Sequence, residues 1–135
     1  MPGSGNKHKG EVMITVEKTE TGFSAYARDY PIFTTGTTVS ELMTNGFEAV
    51  QLYFEDESIA LSREDLRYEI DFQQFFKYYK ILNARVLAEK IGMNPSLLSQ
   101  YVKGHKKPSA KQVQKILDGI HQVGSELVDI SLICS

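Results

Sequence analysis

The chain has 135 residues, 41% of them hydrophobic, and a formal net charge of −2 at pH 7, which suits one globular domain or two small ones. Its single cysteine, Cys134, excludes a disulfide within the chain, and its three histidines are too scattered to form a metal site. No apolar run is long enough to span a bilayer and no hydrophobic signal segment is visible, so we expect a cytoplasmic protein. Residues 1–10, rich in glycine and lysine, predict a disordered leader or an expression tag.

Residues 11–70 predict a small antiparallel sheet with one helix. Apolar and polar residues alternate over residues 11–19 and again over 23–28, with a glycine-containing turn between them, which predicts a β-hairpin. A third short strand is expected over residues 32–37. Alternation over residues 66–72 predicts a fourth strand beside the first hairpin.

A helix is predicted between the third and fourth strands. It begins at Thr38, because Thr38 and Glu41 have the spacing of a capping box. Gly46 predicts that this helix lies close on the sheet. The apolar residues expected along one side of the helix are Val39, Leu42, Met43, Phe47, Val50 and Phe54.

In this domain residues 14–26, with their glycine turn, are followed by Thr35-Gly36-Thr37-Thr38 leading into a helix. In these residues the domain resembles the HicB antitoxin module. The resemblance implies a reduced ribonuclease-H-like fold of ββαβ type, and a partner toxin of the HicA class, a small basic protein that cleaves mRNA. The alternative is a generic small α+β domain. The candidate toxin-binding residues are acids of the helix, which a merely solvated face explains equally well: Glu41, Glu48 and Glu55.

Residues 71–124 predict an all-α domain. Aromatic residues recur at helical spacing over residues 71–82, so we expect a first helix there, capped by Asp71 with Gln74 as its box partner. Its rings are expected in the core of that domain; the alternative, a stacking platform for nucleic-acid bases, requires exposed rings. A second helix should begin after Asn83 and end at Gly92. Asn94 and Pro95 then begin a third, which makes a helix-turn-helix.

The helix-turn-helix and the loop after it contain a set of characteristic residues: Leu87-Ala88, Gly92-Met93, Ser96, Leu98-Ser99, Tyr101, Gly104 and Pro108-Ser109. In these positions the stretch resembles the Xre/Cro-type DNA-binding domain. The alternative is a helical hairpin that binds nothing. If the helix after Asn94 enters the major groove, its candidate DNA contacts are Asn94, Ser96, Leu97, Ser99 and Gln100. The basic loop that follows offers candidate phosphate contacts: Lys103, His105, Lys106 and Lys107.

The last predicted elements follow the basic loop. Ser109 and Gln112 predict the start of a helix that Gly124 ends. Residues 126–133 alternate enough to predict a C-terminal strand, within 125–135, which should join the front sheet or pair with a second chain. In the second case the protein is a homodimer or a higher even oligomer.

Charge divides between the two halves. Residues 11–57 contain nine acids and two bases, a balance of −7, whereas residues 83–124 contain seven bases and two acids, a balance of +5. No catalytic motif and no need for a cofactor is visible, so we expect no enzyme. A nuclease using Glu17 and Asp29 is the least favoured alternative. Together the two resemblances imply a type II antitoxin that neutralises a HicA-type toxin and represses its own promoter. The other alternative is a stand-alone regulator whose α+β domain binds a small ligand.

Overall fold

The structure is a computed structural model that describes residues 7–8, 11–57 and 59–134, apart from the side chains of residues 7, 8 and 134. The chain forms two compact units, Met1–Tyr78 and Tyr79–Ser135. The first is an α+β unit and the second is helical. The fold is therefore mixed α+β, as expected, but the boundary lies eight residues beyond the expected one at residue 70.

The N-terminal unit is built on a four-stranded sheet. Its strands are β1 (Val12–Thr19), β2 (Gly22–Ala27), β3 (Phe33–Gly36) and β4 (Leu66–Ile70), in the order β3-β2-β1-β4. The pairs β1–β2 and β2–β3 are antiparallel, whereas β1 and β4 are parallel. All four predicted strands are confirmed, but the sheet is mixed, because the chain crosses over between β3 and β4 through a helix.

That helix is α1, Val39–Tyr53. Thr38 Oγ1 accepts from the Glu41 amide at 3.1 Å, which confirms the predicted cap. The Glu41 carboxylate accepts from the Thr37 amide at 3.0 Å, so the returning half of the capping box reaches one residue further back than predicted. Glu41 therefore has a local structural role at the start of α1.

One side of α1 packs on the sheet through residues spaced four apart. Leu42, Gly46 and Val50 are buried. Val39 and Met43 are exposed, so the prediction was wrong for these two residues. Val39 stands in the first turn, and Met43 lies about 100° around the helix from Leu42.

Gly46 marks a close approach of α1 to the sheet. A Cβ at this position would lie 2.9 Å from the Tyr68 hydroxyl oxygen, which confirms the prediction of close packing. Tyr68 donates to the Met43 carbonyl at 3.4 Å. Burial raises the pKa of Tyr68, an effect that Arg63 opposes, so the phenol remains a hydrogen-bond donor at neutral pH.

Strand β3 forms one edge of the sheet, and α1 covers part of it. The side-chain amide of Asn45, on α1, donates to the carbonyl of Thr35 at 2.8 Å. This bond satisfies a backbone acceptor of β3 with a side chain of the neighbouring helix.

A second, two-residue pairing joins Lys7–His8 and Ile59–Ala60 in parallel. Lys7 and His8, within the stretch predicted to be a disordered leader or an expression tag, therefore pair with a strand of the N-terminal unit. The rest of residues 1–10 lies outside the described residues.

Helix α2, Phe72–Tyr78, belongs to the N-terminal unit and not to the DNA-binding domain. Asp71 accepts from the Gln74 amide at 3.0 Å, which confirms the predicted cap. The Gln74 side chain does not complete the box; it accepts from the Lys18 amide at 2.9 Å and donates to the Lys18 carbonyl at 2.7 Å. This two-point bond attaches α2 to β1. Phe72 and Phe76 are buried, as predicted for core residues. The prediction that they belong to the core of the DNA-binding domain was wrong, because α2 lies in the N-terminal unit.

The C-terminal unit consists of α3 (Ala84–Ile91), α4 (Pro95–Val102), α5 (Ala110–Ile130) and a final 3-10 turn, Ser131–Cys134. The predicted strand over residues 126–133 was wrong, as was the predicted end of α5 at Gly124. A single strand would leave its backbone groups without partners, whereas a continued helix satisfies them within the segment.

Candidate nucleic-acid interface

The turn between α3 and α4 has the local geometry that its residues predict. Asn83 Oδ1 accepts from the Val86 amide at 3.2 Å, and Asn94 Oδ1 accepts from the Ser96 amide at 2.8 Å, so both asparagines cap helices. Gly92 has a φ of 72°, the left-handed conformation that glycine adopts at low cost. Short-range signals therefore begin both helices and end α3.

Apolar side chains fix the angle between the helices. Leu87 and Ala88 of α3 are buried, as are Leu98 and Tyr101 of α4, which confirms the predicted inner faces. Ile116 of α5 is fully buried. This burial holds α4 in place and leaves its opposite face exposed.

The outer face of α4 carries most of the predicted base contacts. Asn94, Ser96 and Gln100 are exposed, whereas Leu97 and Ser99 are half-buried. Glutamine presents a donor and an acceptor together, which match the N7 and N6 groups of an adenine. The Asn94 oxygen accepts from the Ser96 amide in the cap, and its NH₂ group is available to donate to DNA.

The basic loop is attached to the end of α4. The backbone amides of His105 and Lys106 donate to the Gln100 carbonyl at 2.9 and 3.3 Å. Gly104, with a φ of 77°, allows this reversal of the chain. Four side chains of the loop are exposed: Lys103, His105, Lys106 and Lys107. The loop therefore places cations just beyond the C-terminal end of the outer face of α4.

Two lysines of α5 lie near the helix-turn-helix and were not among the DNA contacts predicted from the sequence. Lys111 is exposed in the first turn of α5, which Ser109 caps. Lys115, one turn later, donates to the carbonyl of Gly92 at 3.3 Å and so contacts the turn of the helix-turn-helix. Their four-residue spacing just after a capped helix start was the available signal.

A helix-turn-helix family model of the Xre/Cro type matches residues 80–121. This stretch is a helix-turn-helix domain. The match includes α3, α4 and the first half of α5, and it excludes α2, in agreement with the boundary between the units. It indicates a DNA-binding transcription regulator. No curated protein matches the chain.

The acids proposed for toxin binding in the N-terminal unit fall into two groups. Glu41 is engaged at the start of α1. Glu48 and Glu55 are exposed and line one groove at the other end of that helix. The geometry therefore brings two of the three together.

Glu17 and Asp29, the residues of the nuclease alternative, do not converge. The amide of Arg28 bonds to the Met13 carbonyl, so Asp29 follows the part of β2 beside Met13, four residues along β1 from Glu17. Four residues of a strand span roughly 13 Å, too far for both carboxylates to bind one ion. Among the described residues, no group of three or more His, Cys, Asp or Glu side chains could hold a metal, and none of the described helices is long and apolar enough to cross a membrane.

Proposed function

We propose that this protein is a type II antitoxin of the HicB class that acts in the cytoplasm. Its N-terminal unit neutralises a HicA-type mRNA-cleaving toxin, and its helix-turn-helix domain represses the promoter of its own operon. It is not an enzyme in this proposal and needs no cofactor.

The observation that carries the proposal is the division of charge between the two compact units. Residues 1–78 contain thirteen acids and seven bases, a balance of −6, whereas residues 79–135 contain eight bases and four acids, a balance of +4. A basic unit with a helix-turn-helix suits DNA, and an acidic unit repels it. The acidic unit therefore suits a basic protein partner, such as an RNA-cleaving toxin.

The topology of the N-terminal unit supports the same proposal. The resemblance to HicB implies the succession strand, strand, helix, strand. The unit contains it as β1, β2, α1 and β4, with β3 added before the helix.

The protein binds its operator as a homodimer in this proposal. A single helix-turn-helix contacts few base pairs, so two copies on half-sites give the required affinity. The C-terminal part of the chain has an exposed apolar surface suited to pairing, which consists of Leu127, Val128, Ile130, Leu132 and Ile133.

Co-expression tests the proposal. The full chain should rescue cells that express the toxin encoded beside it, should purify with that toxin, and should bind the promoter of the gene pair. Rescue without any complex, or a gene neighbourhood with no small basic RNA-cleaving protein, would contradict the antitoxin function. A stand-alone regulator would instead bind the promoter and change its affinity with a small ligand.

A further inference from the structure

The N-terminal unit has a groove at the C-terminal end of α1. It has a volume of about 490 Å³, and its lining includes Glu48, Leu52, Phe54, Glu55, Glu57 and Ile59. Phe54 is only 4% exposed and belongs to the hydrophobic core of the unit. The groove therefore combines an apolar floor with carboxylates around it.

Leu52 is an apolar side chain that the core of this unit does not use. It is 67% exposed, whereas Val50, on the inner side of the same helix, is fully buried. Tyr53, next to it, is 46% exposed. An exposed apolar pair beside a concave surface is characteristic of a protein-binding site.

The chain segment that lines the groove is acidic. Residues 48–61 contain four acids and no lysine or arginine, and Lys7 is paired with Ile59 on the neighbouring short strand. Within the described part of the chain, the carboxylates of Glu48, Glu55 and Glu57 have no basic partner.

The position of these acids does not favour the stability of the fold. Glu55, Asp56 and Glu57 follow Phe54, the C-cap residue of α1, and the last turn of this helix contains no basic residue. The C-terminal end of a helix has a partial negative charge, so nearby carboxylates destabilise it. Packing and capping therefore do not account for this acidic cluster, whereas binding of a cationic partner does.

We infer that this groove is the docking site for the toxin, and that its occupant is a surface segment of that basic protein with a lysine or arginine flanked by apolar side chains. The aliphatic stem of the cation would lie over Leu52 and the floor of the groove, and its charged end would meet the carboxylates. This inference rests on the proposed function, since it identifies the surface that the neutralising unit uses. Glu41 lies outside the site because it caps the opposite end of α1.

The test uses the full chain with the toxin encoded beside it. The affinity for the toxin and the affinity for the promoter are measured in parallel. Glu48→Lys combined with Glu55→Lys should weaken toxin binding by about 10- to 100-fold at low salt and by less at high salt. Leu52→Ser should weaken it with little dependence on salt. The matched control is Glu17→Lys combined with Glu20→Lys, two acids at the end of β1 and in the turn after it that do not line the groove. It should change the affinity by less than about threefold.

The outcomes separate this inference from the proposed function. The melting temperature of the Glu48 and Glu55 variant should be unchanged or raised, because Glu55→Lys replaces an acid at a negative helix end. Promoter binding by the helix-turn-helix domain should also persist. Toxin affinity that is equal in the groove variants and the control would overturn the docking site and leave the antitoxin function standing. If the unaltered chain does not bind the toxin, the proposed function fails. Binding of a small cation in this groove, with no toxin binding, would also overturn the inference.

Discussion

Gln100 contributes to the helix-turn-helix domain through two different parts of the residue. Its carbonyl accepts from the amides of His105 and Lys106, and its side chain is exposed on the outer face of α4. A substitution by alanine therefore removes the base-reading group and keeps the bond that holds the basic loop.

We expect Gln100→Ala to reduce discrimination between operator and random duplex by roughly 5- to 150-fold, because a bidentate base contact contributes about 1–3 kcal/mol. Non-specific affinity should remain the same. Titrations of both duplexes at one salt concentration measure the two quantities. Gln122→Ala, at an exposed position of α5, is the control. Equal loss on both duplexes would show that Gln100 does not read a base.

The lysines of the basic loop should act through charge alone. Replacing Lys106 and Lys107 with alanine should reduce the slope of log affinity against log salt by about 1.8, since each phosphate contact contributes about 0.9. Binding across a series of salt concentrations measures this slope. The control replaces Lys77 and Lys80, exposed lysines outside the helix-turn-helix helices. An unchanged slope in the loop variant would show that these lysines do not contact phosphates.

At the scale of single elements, α5 has two glycines with opposite surroundings. A Cβ at Gly119 would lie 2.3 Å from Ile91 Cγ2, on α3, whereas a Cβ at Gly124 would meet nothing within 4 Å. The Ile91 side chain is β-branched and cannot easily move away. Gly119 is therefore required where α5 crosses α3, and Gly124 is not.

Gly119→Ala should lower the free energy of unfolding by about 1–2 kcal/mol, because overpacking exceeds the gain in helix propensity. Gly124→Ala should raise it by about 0.5–1 kcal/mol, since alanine is favoured in a helix. Urea denaturation of the full chain measures both changes. Stabilisation by both substitutions would mean that α3 and α5 do not approach as closely as described.

The C-terminal part of α5 should form the dimer interface. Val128→Glu combined with Ile130→Glu places two charges on an exposed apolar surface, so we expect monomers by light scattering and weaker operator binding. Gln122→Glu, on the same helix, should remain dimeric. If the double variant still forms dimers, the interface lies on another surface of the protein.

Local signals made the helix-turn-helix predictable. Asn83, Gly92 and Asn94 act on neighbouring backbone groups, so the sequence alone specifies the caps and the turn. The prediction of a strand over residues 126–133 was wrong because its apolar positions fit the period of a strand and also that of a helix. Whether such a segment forms a strand depends on whether a partner strand exists. Gln74 bonds to Lys18, 56 residues away, which no local signal reveals. The groove beside Leu52 likewise depends on tertiary contacts.

At the scale of the whole molecule, the two units should function separately. The fragment of residues 1–78 keeps α2 with β1, and we expect it to protect cells from the toxin without repressing the promoter. The fragment of residues 79–135 should bind operator DNA and give no protection. Cell survival and a promoter reporter measure these two activities. Full protection by the second fragment alone would refute this division.

The bond between Asn45 and the carbonyl of Thr35 bears on how the protein avoids aggregation. An uncovered edge strand can recruit a strand from another molecule. Asn45 occupies an acceptor on that edge, so an incoming strand would have to break an existing hydrogen bond. The Asn45 side chain therefore favours the monomeric unit over aggregation through its edge strand.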